Sequence, residues 1–254
     1  MRRIVAFDCA GDTLVGTLDA AQGTTGLLIV SGGNEIRAGA HRGMALLATK
    51  VAAAGHPVFR YDRRGVGDSA GTNGGFLTAA DDLGAAVAAF RREAPQVTRV
   101  AAFGNCDAAS TLALFGRAAG IDTMLLANPW VVEDSDSLPP AAAIRARYVE
   151  RLLDPRAWGR LVSGRVDLRK LARGIRKIAG PALPSDLAAR VTAAIAEWGV
   201  RATVLLASRD ATAIAFRAAA PGLHAETIDT ASHSFARDAD RAALESTVMR
   251  LLAG

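Results

Sequence analysis

Val100-Ala101-Ala102-Phe103-Gly104-Asn105-Cys106-Asp107-Ala108-Ala109-Ser110 is the stretch on which the fold turns: an apolar run, a Gly-X-Cys-X-Ala turn, then small residues. The apolar run reads as a buried strand and the small residues as the start of a helix, so Cys106 falls at the junction. A side chain at such a sharp turn is held clear of its neighbours, and the N–H groups opening the helix face any negative charge that develops beside it. Small flanking residues are then a steric requirement. Gly104 meets it, whereas Ala108 stands where glycine is commoner and asks for more room between helix and strand. The pattern is that of a nucleophile elbow with cysteine in place of serine. Alone it also fits a buried cysteine in an ordinary connection, so the flanking sequence has to decide.

Upstream, residues 3–8 and 12–19 alternate as strands do, with Ala10-Gly11-Asp12 between them, which predicts an N-terminal hairpin. Gly26 to Val30 is an unbroken apolar run, the mark of a strand buried on both faces, and it ends in Ser31-Gly32-Gly33-Asn34. Residues 42–54 read as a helix stopped by Gly55, Pro57 to Asp62 as a strand, and 78–93 as a second helix. Downstream of the elbow come a helix over 107–119 and the strand Thr123 to Ala127, stopped by Asn128-Pro129. Strands at 202–207 and 225–228, a helix at 211–219 and a last helix from Asp240 resume the alternation.

Strand and helix in turn specify a mostly parallel, doubly wound α/β sheet. Between 131 and 199 no strand is legible, only helical segments broken by Pro139-Pro140, Pro155, Gly164, Gly180-Pro181 and Pro184. The expected layout is a core of residues 1–130 and 200–254 with a helical lid inserted at 131–199. At 254 residues, half of them hydrophobic, one core of this kind can be buried.

The charge is unevenly spread. Residues 140–180 hold eleven basic residues, from Arg145 to Lys177, against Glu150, Asp154 and Asp167. That net +8 leaves −3 for the rest of a chain whose total is +5. One reading is a solvated helical face; the sharper one is recruitment of an anionic substrate, carrier or membrane surface. Nucleic acid is disfavoured because aromatics are sparse there and no recognition motif accompanies the charge. The run Ile4 to Phe7 is too short for a signal peptide, and no segment approaches the ~20 apolar residues of a membrane span. Cys9 and Cys106 form neither a disulfide framework nor a metal-ligand spacing, so the expected protein is cytoplasmic, without metal or cofactor.

Cys106, Asp210 and His233 each follow a predicted strand, in the chain order nucleophile, acid, histidine. That order and placement are those of the α/β-hydrolase fold, whose parallel strands bring their carboxyl ends to one edge. In this reading His233 takes the proton of Cys106 and returns it to the leaving group, while Asp210 fixes the imidazole tautomer. Asp229 and Asp238 compete for the acid's role. The Gly33 or Asn34 N–H, with that of Asp107, is the expected oxyanion hole. The Asp107 carboxylate should turn away from the thiolate or meet a substrate donor. No dinucleotide or phosphate loop occurs at a strand-to-helix junction. Arg63-Arg64-Gly65-Val66-Gly67-Asp68-Ser69 is expected to buttress the site through turns and charge pairs, and His41, His56 and His224 to be structural.

Gly32-Gly33-Asn34, Arg37 to His41, the loop Tyr61 to Ser69 and the elbow Gly104 to Ser110 together resemble the exosortase A system-associated hydrolases, type-1 group. The family-specific match spans residues 28–112. It implies a bacterial hydrolase accompanying exopolysaccharide and protein-sorting systems, without naming a substrate. The leading expectation is an acyl hydrolase for a small-molecule ester or thioester. The alternatives are an acyltransferase using the same cysteine, because a thioester stays activated for transfer, and a binding protein on a silent hydrolase scaffold.

Overall fold

The computed structural model describes residues 1–133 and 186–254. Strands β1 (Arg2–Cys9) and β2 (Asp12–Asp19) form the expected hairpin, antiparallel from Arg2↔Asp19 to Cys9↔Asp12. They are followed by β3 (Thr25–Val30), β4 (Val58–Tyr61), β5 (Arg99–Asn105), β6 (Thr123–Ala127), β7 (Ala202–Ala207) and β8 (Glu226–Ile228). All eight lie in one sheet, ordered β1-β2-β4-β3-β5-β6-β7-β8. β2 joins β4 antiparallel, and from β4 to β8 every pairing is parallel. This is the α/β-hydrolase sheet that the alternation predicts.

Its central strands lack polar alternation because helices cover both faces. Leu28 and Val30 pack with α2 (Ala80–Glu93), α3 (Asp107–Phe115), α4 (Asp186–Trp198) and α5 (Ala211–Ala219). Leu27 and Ile29 point the other way, into α1 (Gly43–Ala53) and α6 (Asp238–Ala253). Helix α3 ends at Phe115, one turn earlier than the sequence suggests, and Gly116 donates to the Leu112 carbonyl at 2.9 Å.

One expected boundary needs correction. Residues 186–198, assigned to the inserted lid, form α4, which buries Leu187, Val191, Ile195 and Trp198 in the core. Their spacing puts them on one helical stripe, and the sheet's α3 face is what covers it. Trp198 Nε1 donates to the Ala113 carbonyl at 3.0 Å and pins the helix there. The remainder of the expected lid, with the basic run of residues 140–180, falls within 134–185 and lies outside the described residues. Among the described residues no helix is long and apolar enough to cross a membrane.

Register decides where chemistry can gather. Val30 pairs with Gly104, Asn105 with Ala127, Ala127 with Leu205 and Ala207 with Ile228. Ser31, Cys106, Asn128, the 208–210 loop and the 229–233 loop therefore all leave the sheet at one edge.

Candidate active site

Cys106 sits between β5 and α3 with φ 64° and ψ −128°, a left-handed conformation for a residue with a Cβ. Such a residue costs about 1–3 kcal/mol and persists only where its surroundings hold it. Here its N–H donates to the Ala127 carbonyl (3.0 Å), and its own carbonyl accepts from the N–H groups of Ala109 (3.1 Å) and Trp130 (3.2 Å). Helix and strand approach closely at this point. A Cβ on Gly104 would lie 2.8 Å from the main-chain carbon and oxygen of Ala108. The contact is with the Ala108 backbone, so the methyl group of Ala108 is accommodated and fully buried. Gly32 is equally constrained: a Cβ there would stand 2.5 Å from the Asn105 carbonyl oxygen.

Asp210 caps α5, its Oδ2 accepting from the N–H groups of Thr212 (2.9 Å) and Ala213 (3.1 Å). The same oxygen lies 3.0 Å from His233 Nδ1, close enough for strong attraction although the ring N–H is not in line with it. Burial by itself would lower the His233 pKa, but its contacts with Asp210 and Cys106, and their charges, raise it to about 10. Burial pushes the Asp210 carboxyl up, and His233 with the helix N–H groups of Ala213 and Thr212 outweighs it and holds it below its ordinary value. With Nδ1 on Asp210, Nε2 is the nitrogen left for Cys106. The structure thus brings Cys106, His233 and Asp210 together. The two competing acids are elsewhere: Asp229 pairs with Arg209 at 3.1 Å and Asp238 with Arg241, both with side chains more than four-fifths exposed.

The Asp107 carboxylate is engaged within the protein: Oδ1 accepts from the Gly33 N–H at 2.7 Å, and Oδ2 lies 3.4 Å from Arg63 Nη2. Its position next to the elbow and the φ of +56° at Gly33 bring the two within reach. One expected oxyanion donor is thereby engaged by a side chain of the site. Asn34 sits beside it, its Oδ1 accepting from Asn73 Nδ2 at 2.8 Å. Arg63 Nη2 also donates to the Gly33 carbonyl.

The rest of that loop is a scaffold. Asp62, fully buried, accepts from the Arg37 N–H (2.5 Å), the Arg37 guanidinium and the Asp68 N–H (3.1 Å). Arg64 is held by Asp82 through its N–H (2.9 Å) and Nε (2.8 Å). Two residues that the sequence reading passed over also reach the site, Asn105 and Asn128, whose amides meet the His233 carbonyl. Asn128-Pro129 reads from sequence only as the stop of β6. Among the described residues no three His, Cys, Asp or Glu side chains gather as a metal-binding group.

A model of the family described as serine aminopeptidase, S33, matches residues 26–226, from β3 to the start of β8. The chain belongs to the serine aminopeptidase S33 family. No curated protein matches this S33-family chain in sequence. Among solved structures it is similar to an α/β hydrolase from Penicillium sp. sh18, with 16% identity over 99% of this chain and 98% of that one, at a TM-score of 0.65. An esterase from Pyrococcus furiosus shows 14% identity over 100% and 90% of the two chains, at a TM-score of 0.61. A thioesterase domain from the curacin biosynthetic pathway shows 13% identity over 98% and 99%, at a TM-score of 0.57. At these identities the likeness is one of fold. The S33-family chain is a hydrolase by family, with cysteine at its elbow.

The two cysteines differ sharply in surroundings. Cys9 is buried, and burial together with the charge and hydrogen bond of Asp82 pushes its thiol up to about 11. Cys106 is partly exposed. Iodoacetamide at neutral pH is expected to add one carbamidomethyl group, at Cys106, leaving Cys9 unmodified until the protein unfolds. Peptide mapping after brief labelling checks this; equal labelling of both cysteines would contradict it.

Proposed function

We propose that this hydrolase is an acyl hydrolase for esters or thioesters that works through a Cys106 acyl-enzyme. The observation that carries the reading is the His233 ring, set between the Asp210 carboxylate and Cys106 at the carboxyl edge of the sheet. The proton of the Cys106–His233 pair already rests on the imidazole as sulfur attacks the acyl carbon, and the imidazolium then protonates the departing oxygen or sulfur. In the second half His233 takes a proton from water, the hydroxide displaces the thiolate, and free acid leaves. Asp210 holds the ring orientation and balances the imidazolium charge.

The N–H of Asp107, with that of Gly33 or Asn34, would carry the oxyanion. Use of Gly33 includes displacing the Asp107 carboxylate towards Arg63, whose Nη1 is buried and has no hydrogen-bond partner among the described residues. An esterase and a thioesterase domain among the structural neighbours support the substrate class. The resemblance across residues 28–112 supports service to exopolysaccharide and protein-sorting systems, and the two free thiols support a cytoplasmic setting.

The test is a panel of p-nitrophenyl esters and acyl-CoA thioesters, with the protein and Cys106→Ala followed side by side by product release and intact mass. Turnover, or an acyl-sized mass adduct, that disappears in Cys106→Ala is the expected result. Turnover that survives the substitution overturns the proposal. Diversion of the acyl group to an added alcohol, at the expense of free acid, would assign acyl transfer instead, the reading that a thioester intermediate also supports.

A further inference from the structure

Three segments meet behind the candidate site, and two buried side-chain amides join them. Asn105, the last residue of β5 and neighbour of Cys106, donates from Nδ2 to the His233 carbonyl at 3.1 Å. Asn128, first after β6 and fully buried, donates from Nδ2 both to the same carbonyl (3.2 Å) and to Asn105 Oδ1 (3.0 Å). Its Oδ1 accepts from the N–H of Ala207 at 2.8 Å, at the end of β7. Ala207 in turn accepts, through its carbonyl, the N–H of Asp210 at 2.9 Å. The nucleophile strand, the acid's turn and the histidine's loop are thus tied through one amide pair.

The donor pattern leaves no second arrangement. The Ala207 N–H can only donate, so an oxygen must face it; the His233 carbonyl can only accept, so nitrogen must face that. An asparagine at 128 satisfies both at once, and aspartate, leucine or alanine does not. Asn128 adopts φ +43°, a conformation for which asparagine is among the better-suited residues, and its N–H donates to Leu205 (3.0 Å). A buried amide pair is costly unless satisfied, and this one uses both its oxygens and both its nitrogens.

We propose that Asn105 and Asn128 are positioning residues that clamp the main-chain carbonyl of His233 and so register its ring with Cys106 and Asp210. Neither side chain is assigned a contact with substrate. The inference rests on the Cys106–His233–Asp210 reading above. The loop between β8 and α6 has its own ties: Thr230 donates to Asp240 at 2.7 Å, and the Ser232 N–H donates to Thr230 Oγ1 at 3.0 Å. Those ties shape the loop's flanks, while the amide pair ties the main-chain carbonyl of His233 to the ends of β5 and β6.

The test uses Asn105→Asp, which keeps size and removes the donor, with Asn128→Ala as the second variant, beside wild type and His233→Ala. Each is measured for ester kcat and KM, for the pH profile of Cys106 alkylation, and for thermal unfolding. The expected result is a fall in kcat of about 10²-fold, the scale of a catalytic group displaced by about 1 Å, with KM nearly unchanged. The alkylation profile of Asn105→Asp should move towards that of His233→Ala. A loss of melting temperature with wild-type kcat and profile would assign the pair to stability alone and overturn the proposal. If Asn128→Ala does not fold, Asn105→Asp decides. Wild type and His233→Ala with the same alkylation profile would overturn the triad reading and this inference together; a profile dependent on His233 but indifferent to the asparagines overturns this inference alone.

Discussion

Replacing His233 by alanine is expected to lower kcat/KM for an ester substrate by about 10²–10⁴-fold, the usual contribution of a positioned acid–base group. The same change should slow Cys106 alkylation at neutral pH. The argument starts from the ring's surroundings: buried imidazole is ordinarily driven towards its neutral form, yet contacts with Asp210 and Cys106 reverse that and raise the value to about 10. A ring held cationic places its positive charge beside the sulfur as it attacks, and alanine removes that charge. Measured alkylation rates between pH 6 and 9 check the pairing, and an unchanged neutral-pH rate in His233→Ala refutes it. Stability carries the same signature. The folded pKa of His233 lies above its ordinary 6.5, so its contribution is complete below that pH and is lost as pH rises through about 10. Asp210 has the opposite sign: held below its ordinary 3.8, it contributes above that value and loses its contribution as pH falls through the folded one. His233→Ala should therefore remove a decline in stability between neutral pH and about 10, which denaturant titrations across that range would show.

Each part of this architecture was legible in sequence to the degree that its cause is local. The central strands stand out because strands covered on both faces must be apolar runs, as Leu27 to Val30 and Val100 to Phe103 are, and the N-terminal hairpin stands out by its alternation. Cys106, Asp210 and His233 stand out because chain order and strand ends are local properties that the sheet converts into proximity. Helix α4 is not separable from the rest of 131–199 in sequence for the complementary reason. The stripe of Leu187, Val191, Ile195 and Trp198 says that a face must be covered, and only the tertiary structure supplies α3 as the cover. The asparagine pair is invisible on the same ground: the partners of the Asn128 amide are 23, 79 and 105 residues away, at Asn105, Ala207 and His233. A strand-stopping Asn-Pro carries no sign of them. The Asp107 carboxylate depends on a loop 74 residues upstream, so its engagement with Gly33 could not be read from the elbow.

The elbow itself supplies the largest expected structural effect, from Gly104→Ala. The added Cβ would lie 2.8 Å from both the main-chain carbon and oxygen of Ala108 and 2.9 Å from Leu112 Cδ1. A leucine methyl can rotate aside; the first turn of α3 cannot, because it carries Cys106 in its left-handed conformation and is tied to Ala127 and Trp130. Forcing helix from strand here is overpacking of a rigid contact, expected to cost about 1–3 kcal/mol or more and to displace the sulfur from His233. Gly33→Ala makes the contrast, since a Cβ there meets nothing within 4 Å and only the positive φ of 56° is penalised. Its cost should stay near the ~1–2 kcal/mol of a left-handed residue. Ala108→Gly is informative as a second-site change. The clash of Gly104→Ala is with the backbone of residue 108, so removing the Ala108 methyl should not restore stability or activity. Thermal unfolding and Cys106 alkylation of the single and double variants decide this; restoration by Ala108→Gly would mean that side-chain volume, and not the approach of main chain to main chain, sets the spacing of the elbow.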